Sequence, residues 1–409
     1  MSTSTARTPP RKKSLVDLVA LKRGYDLPSQ NREGGGVPIL GSFGITGWHN
    51  SAKHPGPGVS IGRSGASIGV ATYTDCQYWP LNTTLYITDF KGNDPRFVYY
   101  VLDSIDFRAF NSGGAIPSLN RNYLGSINAP DIPLLAQRKI AGILSAYDDL
   151  IENNTRRIKL LEEMAQRIYR EWFVAFHYPG HEKVSHVDSE LGPIPEGWRF
   201  EELGGLARID KGLSYQGAYL TDDGLPMANL KCFDVGGGFR RDGTKPYSGP
   251  FKERHAVSPG TLIVANTDLT QAGNVIGSPA IVPRSGFSGG GLITHHLFAI
   301  RPHGEGPGRG FLYHTLRDTR FRAFARGRAS GTTVLGLRTS DCEQYRVLLP
   351  PSQLRERFSL LTETMLAQAE SLEDANLRLR ITRNLLLPRL ISGQIDVTDL
   401  DIAMPHVAL

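Results

Sequence analysis

The stretch from Pro133 to Phe173 constrains this chain most: it contains almost no turn residues and carries a strict heptad of seam positions. Ile140, Leu144, Tyr147, Ile151, Asn154, Ile158, Leu161, Ala165 and Ile168 follow one another in steps of four and three. That alternation averages about 3.5 residues, the seam of a coiled coil rather than a broad helical face. Pro133 suits a helix start, and Pro179-Gly180 closes the segment. From Ile140 to Phe173 the helix spans about 50 Å at about 1.5 Å per residue. A helix this long must bury its stripe against a partner.

The partner lies in the same chain. Adding 218 to each number reaches a second long helical stretch, Pro351 to Leu387, with Ile140 falling on Phe358, Tyr147 on Met365, Leu161 on Leu379 and Ile168 on Leu386. The match continues upstream, Gly113 to Gly331 and Leu119 to Leu337. An offset of 214 pairs Phe97, Tyr99, Leu102, Phe107, Arg108 and Phe110 with Phe311, Tyr313, Leu316, Phe321, Arg322 and Phe324. An offset of 188 pairs Leu15, Leu18, Gly24 and Pro38 with Leu203, Leu206, Gly212 and Pro226. The collinear order of the three offsets is that of a tandem duplication, each copy a mixed module followed by a long helix.

The fold class expected is therefore α+β: two pseudo-repeated mixed α/β modules separated by two long helices. The boundaries follow from the punctuation. Residues 1–14 are a disordered basic tail, 15–132 the first module, 133–178 the first long helix, and 179–198 a linker ending in Gly192-Pro-Ile-Pro-Glu-Gly-Trp198. Residues 199–349 are the second module, 350–394 the second long helix and 395–409 a tail. Short apolar runs broken by Gly, Pro and Asn, such as Val37-Pro-Ile-Leu, Val59-Ser-Ile, Val70-Ala-Thr-Tyr and Thr84-Leu-Tyr-Ile, read as strands. Phe97, Tyr100, Val101 and Ile105 mark a helix within 95–110.

Composition narrows the function classes. At 409 residues and 40% apolar content the chain supports two or three globular cores. It holds no apolar run long enough to span a bilayer, and Leu15 to Leu21 is interrupted by Asp17 and too short for a secretory leader; a cytoplasmic location is expected. Cys76, Cys232 and Cys342 are odd in number and far apart, three packed thiols rather than a disulfide framework or a zinc site. A net charge of +6 permits nucleic-acid binding without requiring it.

Catalytic signatures are missing. Gly62-Arg-Ser-Gly-Ala-Ser-Ile-Gly69 follows a strand but lacks the Gly-Lys-Ser/Thr of a nucleotide-binding loop, and reads as a tight connection between strands. His177, His181 and His186 are spaced loosely in a linker, and His295-His296 sits in a strand pattern with one ring inward and one outward. The sequence shows no Ser-His-Asp order, paired carboxylates, metal motif, amino-methyltransferase tetrapeptide or helicase phosphate loop. The chain reads as a scaffold with two reading heads.

From Leu15 to Ile395 the chain resembles the specificity subunit of type I restriction–modification systems. The resemblance rests on the Gly62–Gly69 loop with Trp79-Pro-Leu-Asn-Thr-Thr-Leu-Tyr86, on the helix opening Pro133-Leu-x-x-Gln-Arg-x-Ile140, on Gly192–Trp198, and on Leu387-Pro-Arg-Leu-Ile-Ser-Gly393. It implies a non-catalytic, DNA-binding chain with two target-recognition domains, each reading one half of a split double-stranded site. It also implies that the two long helices pair as an antiparallel coiled coil and dock methylation subunits, two in number. Restriction (motor–nuclease) subunits complete the complex, and the cofactors S-adenosylmethionine, ATP and Mg belong to the partners rather than to this chain. The family's acidic residue before the helix-opening glutamine is replaced here by Ala136, and the second copy reads Pro351-Ser-Gln-Leu-Arg355. A stand-alone DNA-binding regulator and a coiled-coil adaptor that binds no DNA are the alternatives; a copurifying methyltransferase excludes the first and salt-dependent DNA binding the second.

Base reading is expected from polar residues on module loops: Arg63, Ser64, Asn120 and Arg121 in the first module, and Asn266, Thr267, Gln271, Arg328 and Arg338 in the second. Arginine takes guanine edges bidentately, and asparagine or glutamine takes adenine. For an antiparallel helix pair a constant positional sum of 530 sets Leu144 against Leu386, Ile151 against Leu379, Tyr147 against Arg383 and Asn154 against Asn376. Those asparagines are the only ones on either seam, and their meeting would penalise any slip of register.

Overall fold

The computed structural model describes residues 11–110, 119, 121–190, 192–269, 271–304, 306–332 and 334–402. Two helices of 40 residues each, Leu134–Phe173 and Ser352–Ile391, dominate it and pack together. Both start within two residues of the expected positions and end earlier than expected. Phe176, at φ 63°, turns the chain away after the first. The second runs through Pro388 and stops at Ile391 ahead of Gly393 at φ 72°.

The chain divides into two compact units, Met1–Asn153 with Asn376–Leu409, and Asn154–Ala375. Each unit is one module plus part of each long helix.

In the first unit an antiparallel sheet runs in the order Ala20–Arg23, Thr84–Asp89, Gly58–Gly62, Ala71–Thr74. A smaller sheet sets Val37–Gly41 between Gly44–His49 (antiparallel) and Trp79–Pro80 (parallel). The second unit repeats this topology. Its main sheet runs Ala207–Lys211, Leu297–Pro302, Leu262–Ala265, Pro279–Ile281, again antiparallel. Its companion sheet keeps the parallel pair, Leu220–Ala228 with Gly291–Ile293.

The helix Pro95–Asp103 starts on Asp94, whose carboxylate accepts the Phe97 amide at 2.9 Å. It buries Phe97, Val98, Tyr100, Val101 and Leu102 in a core shared with Ile140, Ala141 and Leu144 of the first long helix and Leu387, Leu390 and Ile391 of the second. Gln137 clasps its start: Oε1 accepts the Asp94 amide at 2.9 Å, while Nε2 donates to Asn93 Oδ1 at 2.8 Å and to the Ile132 carbonyl at 2.7 Å. In the second unit the equivalent helix, Arg309–Arg317, packs Phe311 with Tyr169, Phe173 and Phe358 of the long helices.

Four expectations need correction. Lys12–Ser14, assigned to a disordered tail, forms a strand paired with Asn128–Pro130, because its extended backbone closes against the residues that lead into the first long helix. The 179–198 linker contains a small hairpin, His186–Val187 with Ile194–Pro195. His295 and His296 occupy the turn between Gly291–Ile293 and Leu297–Pro302, their rings side by side at 3.8 Å, rather than opposite faces of a strand. Cys76 is exposed, whereas Cys232 and Cys342 are buried.

Candidate nucleic-acid interface

Arg63, Ser64, Asn266, Thr267 and Gln271 lie on one structural element that occurs once in each unit, with Arg338 beside it. In the first, the strand Gly58–Gly62 leaves the sheet into a loop that returns to it: Gly62 N donates to the Val70 carbonyl at 3.0 Å and Gly69 N to the Gly62 carbonyl at 2.9 Å. In the second, Ala265 N donates to the Ser278 carbonyl at 3.0 Å and Gly277 N to the Ala265 carbonyl at 2.8 Å. The enclosed loops, 63–68 and 266–276, are therefore equivalent, the second being the longer.

A second chain segment is tied to each loop by the same bond. Leu119 N donates to the Arg63 carbonyl and Leu337 N to the Asn266 carbonyl, each at 2.8 Å. These bonds bring the neighbourhood of residue 119 beside Arg63 and place Arg338 beside Asn266. Asn120 lies outside the described residues, and Arg121 opens the 3-10 turn Arg121–Ser126.

The first loop is tight. A Cβ on Gly62 would strike the carbonyls of Ser67 and Ser42, so only glycine fits where the loop departs. Arg63 is half-buried, and its Nη1 reaches only the Asn82 carbonyl, at 3.5 Å. Ser64 precedes the turn Gly65–Ser67, and its carbonyl accepts the Ser67 hydroxyl at 2.7 Å.

The longer loop of the second unit is braced from several sides. Asp268 Oδ2 accepts the Val275 amide at 2.7 Å, and Gly273 takes φ 58°. Two arginines of the helix Thr319–Arg328 hold it by its carbonyls: Arg322 Nη2 donates to Asn274 O at 3.0 Å and Arg326 Nη2 to Ala272 O at 2.9 Å. Gln271, exposed, donates to the Thr332 carbonyl at 2.8 Å and thereby joins the loop to the 330–338 segment. Arg328 reaches Gln344 Oε1 at 3.2 Å and lies over the Phe324 ring, while Arg338 is exposed ahead of the short helix Thr339–Glu343.

Asn266 and Thr267 sit differently from the other candidates. Both are buried; Asn266 Nδ2 donates to the His295 carbonyl at 3.1 Å, and its Oδ1 accepts the Thr267 hydroxyl at 2.6 Å. Their polar atoms build the frame of the loop. Arg322 and Arg326 were not singled out from sequence, although Arg322 falls on Arg108 in the 214 offset; a repeat marks equivalent positions, not what they hold.

Residues 11–163 match the family described as type I restriction modification DNA specificity domain. The type I restriction enzyme MjaIX specificity subunit of Methanocaldococcus jannaschii is 23% identical over 317 residues, 75% of this chain and 70% of the relative. The HindI specificity subunit of Haemophilus influenzae is 25% identical, over 74% of this chain and 77% of the relative. The crystal structure of a type I restriction–modification S subunit from M. genitalium shares the fold with a TM-score of 0.61 at 15% identity, covering 95% of this chain and 98% of that one. Residues 11–163 thus match a type I restriction–modification DNA specificity domain, and most of the chain is similar to specificity subunits.

In this chain the helix seams bury Leu144, Ala165 and Ala369 as the heptad requires. Asn154 and Asn376 are both buried, and Asn376 Nδ2 donates to the Ile151 carbonyl at 3.3 Å. Arg383, an awkward seam residue by sequence, is satisfied by two carboxylates, Asp103 at 3.1 Å and Asp148 at 3.0 Å. Off the seam, Leu150, Leu160, Leu361 and Leu377 are exposed, whereas Tyr169 is buried and Leu366 half-buried against the second module. Among the described residues no group of His, Cys, Asp and Glu could hold a metal ion, and no helix is long and apolar enough to cross a membrane.

Proposed function

We propose that this chain is a specificity subunit that reads a bipartite double-stranded DNA target, one half-site per module, and docks methylation subunits on its long helices. The observation that carries the reading is the equivalent pair of loops, 63–68 and 266–276, tied by the same 2.8 Å bond to the segments at Leu119 and Leu337. One architecture with different side chains suits two different half-sites. Arg63 and Ser64, with Asn120 and Arg121, read the first; Gln271, Arg328 and Arg338 read the second, on a frame built by Asn266 and Thr267. The exposed leucines of the long helices favour a partner that covers them. Asn154 and Asn376, polar groups on otherwise apolar seams, act as register residues, since each would lose its bonding in a slipped helix. The chain itself performs recognition, while partner subunits carry adenine methylation with S-adenosylmethionine and cleavage with ATP and Mg.

Alanine variants test the loop assignment. In the assembled methyltransferase, Gln271→Ala and Arg338→Ala are expected to lose about 1–3 kcal/mol of discrimination at positions of one half-site while leaving the other half-site unchanged. Binding competition against single-base-substituted duplexes measures this. A uniform loss across all sequences, with a shallower salt dependence, would instead make the residue a phosphate contact.

A further inference from the structure

Two ion pairs join equivalent module residues to the long helices with their signs reversed, their helix partners falling within one turn of each other in the 218 offset. The helices Pro95–Asp103 and Arg309–Arg317 correspond residue for residue and end on Asp103 and Arg317. In the first unit Asp103 meets Arg383 of the second long helix at 3.1 Å, and Arg383 also meets Asp148 at 3.0 Å. In the second unit Arg317 meets Glu162 of the first long helix at 2.9 Å. Each guanidinium also lies over a tyrosine of its module, Arg383 over Tyr100 and Arg317 over Tyr313, both at 5.8 Å from the ring centroid. Thus the first module contributes the anion and its helix the cation, whereas the second contributes the cation and its helix the anion.

We propose that these charge-inverted clamps assign each module to its own stretch of the helices, so that Asp103, Arg383, Arg317 and Glu162 are positioning residues for the order in which the two half-sites are read. A module seated on the other stretch would bring Asp103 within a helical turn of Glu162, or set Arg317 against Arg380 and within a turn of Arg383. The side chains of Arg383 and Arg317 are only 16% and 18% exposed, so little solvent is available to screen such a clash. An unpaired buried charge costs more than a correct pair contributes, which makes such a pair an instrument of specificity rather than of stability. The carboxyl of Asp103 agrees: burial pushes its pKa up despite the opposing pull of Arg383, so its ionised form is not itself a gain. Arg96 and Asp149 form a further module–helix pair in the first unit at 3.6 Å, but Asp149 is 62% exposed and solvent screens it.

Exchanging residues 15–132 and 199–349 within the full chain tests the assignment, and the readout on the protein alone separates it from any failure of the half-site reading. Hydrogen exchange in the two module helices is compared on native long helices and on helices carrying Glu162→Arg with Arg383→Glu. The exchanged chain is expected to open at least about 10-fold faster on native helices than on reversed ones, and the native-order chain the other way round. Equal protection on both backgrounds overturns the proposal. Should the exchanged chain fail to fold on either, the cycle of Arg317→Glu, Glu162→Arg and the double variant decides: rescue by the double supports the clamp, and additive losses overturn it.

Discussion

Phe358→Ala is expected to destabilise the second unit by about 3–5 kcal/mol, the range for truncating a fully buried aromatic side chain. Phe358 has no exposed surface and stands where five aromatic side chains meet. Its ring centroid lies 4.9 Å from that of Phe173, 5.6 Å from His314, 6.0 Å from Tyr169, 6.1 Å from Trp172 and 6.5 Å from Phe311. Those rings belong to the first long helix and to the helix Arg309–Arg317, so Phe358 is where both long helices meet the module. Removing it loses transfer free energy and leaves a cavity that rigid neighbours cannot fill, whereas Phe358→Leu retains much of the volume and should cost less than half as much. Urea unfolding followed by tryptophan fluorescence measures both, with Trp172 and Trp198 reporting from the same core. A shift below about 1 kcal/mol for the alanine variant would mean that the cluster collapses around the gap.

The second large effect is acid sensitivity. His314 is fully buried; its Nδ1 lies 2.9 Å from Gln166 Oε1, and its Nε2 has no hydrogen-bond partner. Burial, and after it the nearby Arg317 guanidinium, pulls its pKa down to about 3. Unfolded, the imidazole titrates near about 6.5. Because the folded value is the lower one, its stabilising contribution is complete above the unfolded value and is lost as pH falls from there towards the folded one. The slope is about 1.4 kcal/mol per pH unit. Glu373 works in the opposite sense, since burial pushes its carboxyl up against the pull of Arg241 and the folded state takes its proton sooner. Comparing wild type with His314→Asn at each pH cancels that contribution. The stability gap between the two should narrow by about 1.4 kcal/mol per unit between pH 6 and 4; parallel curves would show that His314 stays neutral in the unfolded chain or finds a proton acceptor in the folded one.

Much of the architecture was legible because long helices announce themselves by period. The heptad from Ile140 to Ile168 and the 218 offset located both long helices and the duplication, and the aromatic pattern at Phe97 and Phe311 located the equivalent module helices. The loops were less legible. Arg63 and Asn266 turn out to be equivalent, yet they are separated by 203 positions, an offset none of the sequence matches contained. The second loop is longer than the first, and insertions around it erase the alignment there. Choosing both residues on chemical grounds placed them on equivalent loops but missed what Asn266 holds: it is consumed by the His295 carbonyl and Thr267, which only tertiary structure reveals. Arg383 shows the same limit. A charged residue on a seam looks like an error until Asp103 and Asp148, from two different elements, close on it. Pro388 sits within the second helix, where packing through Leu387 and Leu390 in the last turns makes the loss of one backbone bond tolerable.

The central claim, that one module reads one half-site, is tested most directly by replacing residues 15–132 with the first module of another specificity subunit. The chimera is co-expressed with the partner subunits, and methylated adenines are mapped across the host genome by single-molecule sequencing. The account predicts a new bipartite motif in which one half has changed and the other half is that of the parent. A motif altered in both halves, or in neither, would contradict it.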